Sequence, residues 1–125
     1  INDTNSTKLR PFKDSLRMSR RGMSGLLSIS NIKGLHFKGH SILSTLKPYV
    51  VFIVGNSKNS TAVHKVTSDS DVVFDETFHI TVQDPLKSSL IIKVMHDNLL
   101  RGDSLLGEVV VPLTDLMKED DPFTR

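Results

Sequence analysis

A chain of 125 residues is long enough to bury a core without covalent staples, and its lack of cysteine excludes a disulfide framework and a thiolate metal site. The formal net charge of +2 is unevenly spread: residues 1–24 hold six Lys or Arg against two Asp, a local +4, which leaves −2 for the remainder. The longest apolar runs are far short of a membrane span, and Ile1 opens on polar residues rather than on a signal peptide, as in a piece cut from something longer.

Residues 1–7 are polar and turn-forming and are expected to be disordered. From Leu9 to Met23 the chain is basic, and Leu9, Phe12 and Leu16 recur three and four apart. That spacing predicts a short amphipathic helix interrupted by Pro11. Residues 1–22 therefore read as a basic linker or tail, docked on its own domain or directed at an anionic surface, most simply lipid. The domain proper is expected over 23–125, with its first strand near Ser24.

Leu27 and Ile29 alternate, and the inward step then widens to Ile32 and Leu35, as in a strand that carries a bulge. Gly34 and Gly39 introduce an irregular loop from His36 to Lys47. Pro48 cannot donate to a ladder but can begin a strand. In that strand Tyr49, Val51 and Ile53 share one face and Val50, Phe52 and Val54 the other; apolar on both sides, it is expected to be central or covered. A turn cluster at residues 55–59 precedes an alternating run, Thr61, Val63, Lys65 and Thr67, read as a further strand. In the next, Phe78, Ile80 and Val82 face one way and Thr77, His79 and Thr81 the other, with Phe74 in reach of the same core.

Leu90, Ile92 and Val94 line a strand that stops near His96, and residues 97–104 return to loop. Leu106, Val109, Val111 and Leu113 make the last clear strand, and Pro112 marks its far end as an edge. Residues 114–118 fit one helical turn, with Thr114 as N-cap. Short strands at regular spacing with no long helix predict an all-β chain, an antiparallel β-sandwich of six strands. Residues 120–125 read as loop.

Four stretches, in this order, resemble a C2 domain, the membrane-targeting module of protein kinase C and the synaptotagmins. Gly25 to Leu35 resembles the family's opening strand, which ends in a Gly-Leu pair. Lys47-Pro48-Tyr49-Val50 stands where the family writes Ser-Asp-Pro-Tyr-Val, and Val73-Phe74-Asp75-Glu76-Thr77-Phe78 resembles its Val-Trp-Asn-Glu-x-Phe. Leu90 to Asp97, followed by Leu105-Leu106-Gly107-Glu108, resembles the strand–loop–strand that closes on an Ile-Gly pair. The resemblance spans 25–116 and implies a C2-like Greek key whose closing strands are not found in this piece.

The family usually bridges calcium between loop carboxylates and anionic lipid, and calcium takes about six to eight oxygens, several of them charged. At the family's ligand positions this sequence has Lys47, His96, Asn98 and Ser104. Asp97 and Asp103 each stand one residue off, which in extended chain is the opposite face. No cofactor is expected, calcium included. What the loops offer instead is Phe37, Lys38 and Lys47 in the first and Leu99, Leu100 and Arg101 in the second, apolar tips beside cations. Ile42, Leu43 and Leu46 are expected to fold back onto the sandwich. The family's other lipid surface, a basic strand groove, is matched by Lys58, His64 and Lys65, with Lys47 and Lys93 as further candidates.

The resemblance therefore implies a calcium-independent module that binds anionic phospholipid membranes, within a larger peripheral or tethering protein on the cytoplasmic side. The alternatives are a C2-like domain that binds a protein partner, or the regulatory domain of a lipid-modifying or signalling enzyme. No activity is expected of the domain itself. The chain has no Gly-x-Ser-x-Gly elbow, no phosphate-binding glycine loop and no histidine spacing that suits zinc. The basic tail lacks the interleaved aromatics of a single-stranded nucleic-acid binder, so no nucleic-acid partner is expected.

Overall fold

The computed structural model describes residues 15–37 and 45–117. Alternation governs the first of them. Leu16 and Met18 are buried while Arg17 and Ser19 are exposed, and Leu16–Arg21 is a strand, β1. This corrects the helix expected over Leu9 to Met23: a basic run of this length satisfies either period, and pairing with a neighbouring strand decides it. Leu9, Pro11 and Phe12, with residues 1–7, lie outside the described residues. Gly22, at φ 64°, turns the chain into β2 (Ser24–Ile29), which pairs antiparallel with β1 from Leu16↔Ile29 to Arg21↔Ser24. The sheet thus begins ahead of the start expected near Ser24.

β2 is not continuous with β3 (Ile32–Phe37). Asn31 between them has φ 52°, a left-handed conformation that asparagine tolerates better than most residues. The partner strand breaks at the same level. β6 (Ser70–Phe74) pairs with β3, β7 (Phe78–Val82) pairs with β2, and residues 75–77 lie between. The expected bulge is therefore a kink crossing two neighbouring strands, and the run from Val73 to Val82 is two strands rather than one. Leu27, Ile29 and Ile32 still face inward, as do Phe74, Ile80 and Val82.

The second sheet has the order β5-β4-β8-β9, formed by β5 (Ser57–Ser60), β4 (Pro48–Val54), β8 (Ser89–His96) and β9 (Ser104–Pro112). β4 begins at Pro48 and lies centrally, with Val50, Phe52 and Val54 in the core, and β9 is an edge. Gly55, at φ 56°, opens the two-residue turn that joins Val54 to Ser57. The strand expected over 61–67 is absent, and β5 stops at Ser60. The reason is Thr61, whose side chain turns inward and is 6% exposed. Its Oγ1 accepts the Val50 N–H at 2.9 Å, its own N–H donates to the Val50 carbonyl at 2.9 Å, and its hydroxyl donates to the Ala62 carbonyl at 3.1 Å. Beyond it the chain touches the sheet through the His64 N–H, which donates to the Pro48 carbonyl at 3.0 Å, and where Val66 bridges Leu46. Thr61→Val keeps the shape but leaves the Val50 N–H without an acceptor inside a central strand. Urea unfolding is expected to show a loss of about 1–3 kcal/mol, and Thr61→Ser should retain most of it.

The four-stranded sheet and the facing pair of sheets, β1-β2-β7 and β3-β6, enclose Leu27, Ile29, Phe52, Phe74 and Leu90, with Phe78 at the margin, its ring 5.8 Å from that of Phe52. A short helix, α1 (Leu113–Met117), closes one end against β1 and the 3-10 turn Pro85–Lys87. It starts one residue before the expected turn, so Thr114 lies in its first turn rather than at its cap. Leu113 is fully buried there, and its N–H donates to the Ser88 carbonyl at 3.0 Å. Nine antiparallel strands among the described residues make the fold all-β, with strand β1 drawn from the segment read as a tail. Residues 118–125 lie outside the described residues.

Candidate functional site

The end of the sandwich opposite α1 is assembled from three pairings. Phe37 pairs with Ser70, Leu46 with Val66 and Pro48 with His96, which brings the β8–β9 connection beside the start of β4. The Asp97 N–H donates to the Lys47 carbonyl at 2.9 Å. The Lys47 N–H donates to His96 Nδ1 at 3.1 Å, which makes that nitrogen the acceptor and leaves a neutral ring's proton on Nε2.

The connection itself, residues 97–103, is tied by its own polar groups. Asn98 Oδ1 accepts the amides of Leu100 at 3.1 Å and Arg101 at 3.2 Å, an Asx turn. The Asn98 carbonyl accepts the Gly102 N–H at 3.0 Å, and Gly102 permits that closure with φ 82°. Asp103 Oδ1 accepts the Asn98 N–H at 3.1 Å, and its Oδ2 accepts the Tyr49 hydroxyl. The loop is thus a closed bracket clasped to β4. Leu99 and Leu100 at its tip are 87% and 95% exposed, beside exposed Arg101. Where β9 carries an extra residue opposite Val94 and Met95, Leu105 and Leu106 extend the apolar surface at 53% and 44% exposure.

The clasp perturbs both of its members. Tyr49 is pushed up to about 12 from 10.0, chiefly by its hydrogen bond to the Asp103 carboxylate, then by burial and by the charges of Asp103 and Asp97. Asp103 is held below the ordinary carboxylate value, chiefly by the Tyr49 hydroxyl and then by the Asn98 amide. A raised phenol pKa contributes stability that is present below 10.0 and is lost as pH rises through about 12. The lowered Asp103 value contributes above the ordinary carboxylate value and is lost as pH falls through the lowered one. Tyr49 is the only tyrosine and there is no tryptophan, so phenolate absorbance reports this group alone. Its midpoint is expected near 12 in the parent and back toward 10.0 in Asp103→Asn; a midpoint that Asp103→Asn leaves in place removes the clasp.

The other residues singled out in the sequence are placed as follows. Phe37 ends β3 at this same end, and Lys38, Ile42 and Leu43 lie outside the described residues. Lys47 is half-buried, and Leu46 is folded back at 8% exposure. The proposed groove is not drawn together on one face. Lys58 stands on the outer face of β5, opposite Ile53. His64 is turned the other way, its ring edge-on to core Phe74 at 4.7 Å. Lys65 is exposed beyond the end of β5, and Lys93 lies on the outer face of β8 between Val51 and Glu108. The sequence reading missed Tyr49, Leu105 and Leu106 as parts of this end. Leu105-Leu106 reads simply as the start of a strand, and only the extra residue in β9 sets both outward.

Among the described residues, no three His, Asp or Glu side chains gather as they would around a metal ion. No helix of the described residues is long and apolar enough to cross a membrane.

The fold has solved counterparts. The C2 domain A of a plant extended synaptotagmin 1 superposes with a TM-score of 0.62 at 16% identity, covering 77% of this chain and 73% of that one. The C2 domain A of RIM from Drosophila gives 0.62 at 14% identity, covering 85% and 89%. Human GIVD cytosolic phospholipase A2 gives 0.61 at 18% identity over 78% of this chain, which spans only 13% of that enzyme. No curated protein matches the chain. The family model of the C2 domain matches residues 25–124. With a kinked antiparallel sandwich and a loop end of this build, the chain belongs to the C2 domain family.

Proposed function

We propose that this domain docks on anionic phospholipid membranes without calcium, as a non-catalytic, peripheral module on the cytoplasmic side. The observation that carries the reading is the tip: Leu99 and Leu100 are almost wholly exposed on a loop whose hydrogen bonds hold them outward. Exposed apolar side chains beside cations gain by burial at a lipid interface and by attraction to its charge. Arg101 and Lys47 supply that attraction, about 1 kcal/mol for each basic residue near the surface. Phe37 and Lys38 are assigned to the same contact, and Lys58 and Lys65 add positive potential from the β5 side. His64, packed on Phe74, serves the core instead.

Calcium independence is supported by how the loop uses its oxygens. Asn98 Oδ1 accepts two hydrogen bonds and each Asp103 oxygen one from within the domain, so a cation would compete with the bracket for them. Co-sedimentation tests the proposal, with vesicles of phosphatidylcholine alone or mixed with phosphatidylserine or a phosphoinositide, in chelator or in millimolar calcium. The anionic vesicles are expected to carry the domain down equally in both, and calcium should leave the melting temperature in place. Binding that appears only with calcium overturns the calcium claim. No binding to any vesicle overturns the membrane claim in favour of a protein-binding domain.

A further inference from the structure

The two outer faces of the sandwich differ in kind. On the β1-β2-β7 side the outward rows Arg17-Ser28-His79 and Ser19-Leu26-Thr81 are polar but for Leu26. On the β8-β9 side strand register sets Ile91 beside Val110 and Met95 beside Leu105, two apolar rows, with Lys93 beside Glu108 in the row between them. Lys93 and Glu108 are the only Lys, Arg, Asp or Glu of these two strands. Val110 and Leu105 are exposed, as is Glu108, while Ile91, Lys93 and Met95 are half-buried. Apolar rows flanking one cation and one anion are an unusual surface to leave to water, and β9 beyond them is the edge of the sheet.

The placing of the charges selects the occupant. A two-fold axis laid along the strands, midway between β8 and β9, turns this surface onto itself without moving any row along the axis. Lys93 of one copy then stands over Glu108 of the other, and Glu108 over Lys93. Ile91 meets Val110 and Met95 meets Leu105 in the same way. Stacked sheets keep their strands within about 30° of each other, so three short rows stay matched. We propose that the β8–β9 face is a contact between two copies of this chain. Two strands per copy fall short of the about 800 Å² each that a stable interface buries, so the pair is weak, in the micromolar to millimolar range. The same axis leaves both leucine tips at one end. On the membrane reading above, both then reach a single bilayer, which raises the effective concentration of the second copy. The contact itself does not depend on that reading.

The test is sedimentation equilibrium of the full chain at up to millimolar concentration, where the parent is expected to pass from monomer to dimer. Lys93→Glu and Glu108→Lys should each weaken the association about tenfold or more, since like charges then face each other across the axis. Mixed in equal amounts, the two variants should pair with one another as tightly as the parent pairs with itself, because each charge again meets its opposite. A Lys93–Glu108 interaction confined to one chain cannot be restored by a second chain. Val110→Ser should weaken the dimer with no change of charge. Glu108 and Val110 are exposed, so both of their variants should melt with the parent. A parent that stays monomeric overturns the proposal, and so does a dimer that both charge variants leave as tight, or a mixture that fails to recover. Leu99→Ser, Leu100→Ser should dimerise as the parent does and fail only on vesicles; loss of the dimer in that variant moves the contact to the tips and overturns the face. Failure of the parent on vesicles counts against membrane docking alone.

Discussion

Phe74→Ala is expected to lower the stability of the domain by about 3–5 kcal/mol, the range for a fully buried phenylalanine truncated in a core. Phe74 is 1% exposed, its backbone is paired with Ile32 across the β3–β6 ladder, and the His64 ring meets it edge-on at 75°. Removing the ring withdraws its apolar area from the core and leaves a cavity that strands from two sheets cannot both close. A single domain has only about 5–15 kcal/mol to lose, so this variant should unfold at markedly lower urea. Phe78→Ala should cost less. Phe78 is only partly buried, because it opens β7 just beyond the break at residues 75–77. Equal losses, or a larger loss at Phe78, would show that the break is misplaced and that both rings sit on one continuous strand.

Leu99→Ser with Leu100→Ser is expected to abolish the salt-resistant part of membrane binding. Full burial of each leucine contributes about 1.5–3 kcal/mol, and interfacial burial somewhat less. At about 1.4 kcal/mol per tenfold, the pair accounts for roughly tenfold to a thousandfold in affinity. The loop should keep its shape, since Asn98 Oδ1 accepts the backbone amide of residue 100, which the substitution leaves in place. The melting temperature should not change, because neither side chain packs on anything. What remains should be the electrostatic attraction of Arg101 and Lys47, which salt screens. A double variant that still sediments at high salt as the parent does would move the contact away from the tip.

The strands that sequence pattern locates best are those with side chains committed on both faces. β4 is apolar on both and central, and β8 buries Leu90 and Ile92 in alternation. β1 is harder, because Leu16 and Met18 are its only apolar residues and Leu16 also completes a three-four spacing with Leu9 and Phe12. The break at Asn31 is marked by the widened step from Ile29 to Ile32, whereas the one at residues 75–77 follows from the neighbouring strand bending with it. In sequence Thr61 looks like one more alternating residue, and its inward hydroxyl depends on Val50, eleven positions away. At the docking end the leucine tip is legible, since apolar residues inside a polar loop have no local partner. The clasp is not, because Tyr49 and Asp103 are 54 residues apart.

The way the bracket is hung has a mechanical consequence. It continues directly from β8 into β9 and is fastened to Tyr49 of β4 and to Lys47 just ahead of that strand. A pull on the tip therefore runs along the length of those strands, at right angles to the hydrogen bonds between them. In that geometry the ladder is sheared, with its bonds sharing the load, rather than peeled open one bond at a time. A domain anchored by this loop would grip hardest when force is applied along its long axis, and would yield sooner to a force that lifts β9 sideways off the sheet.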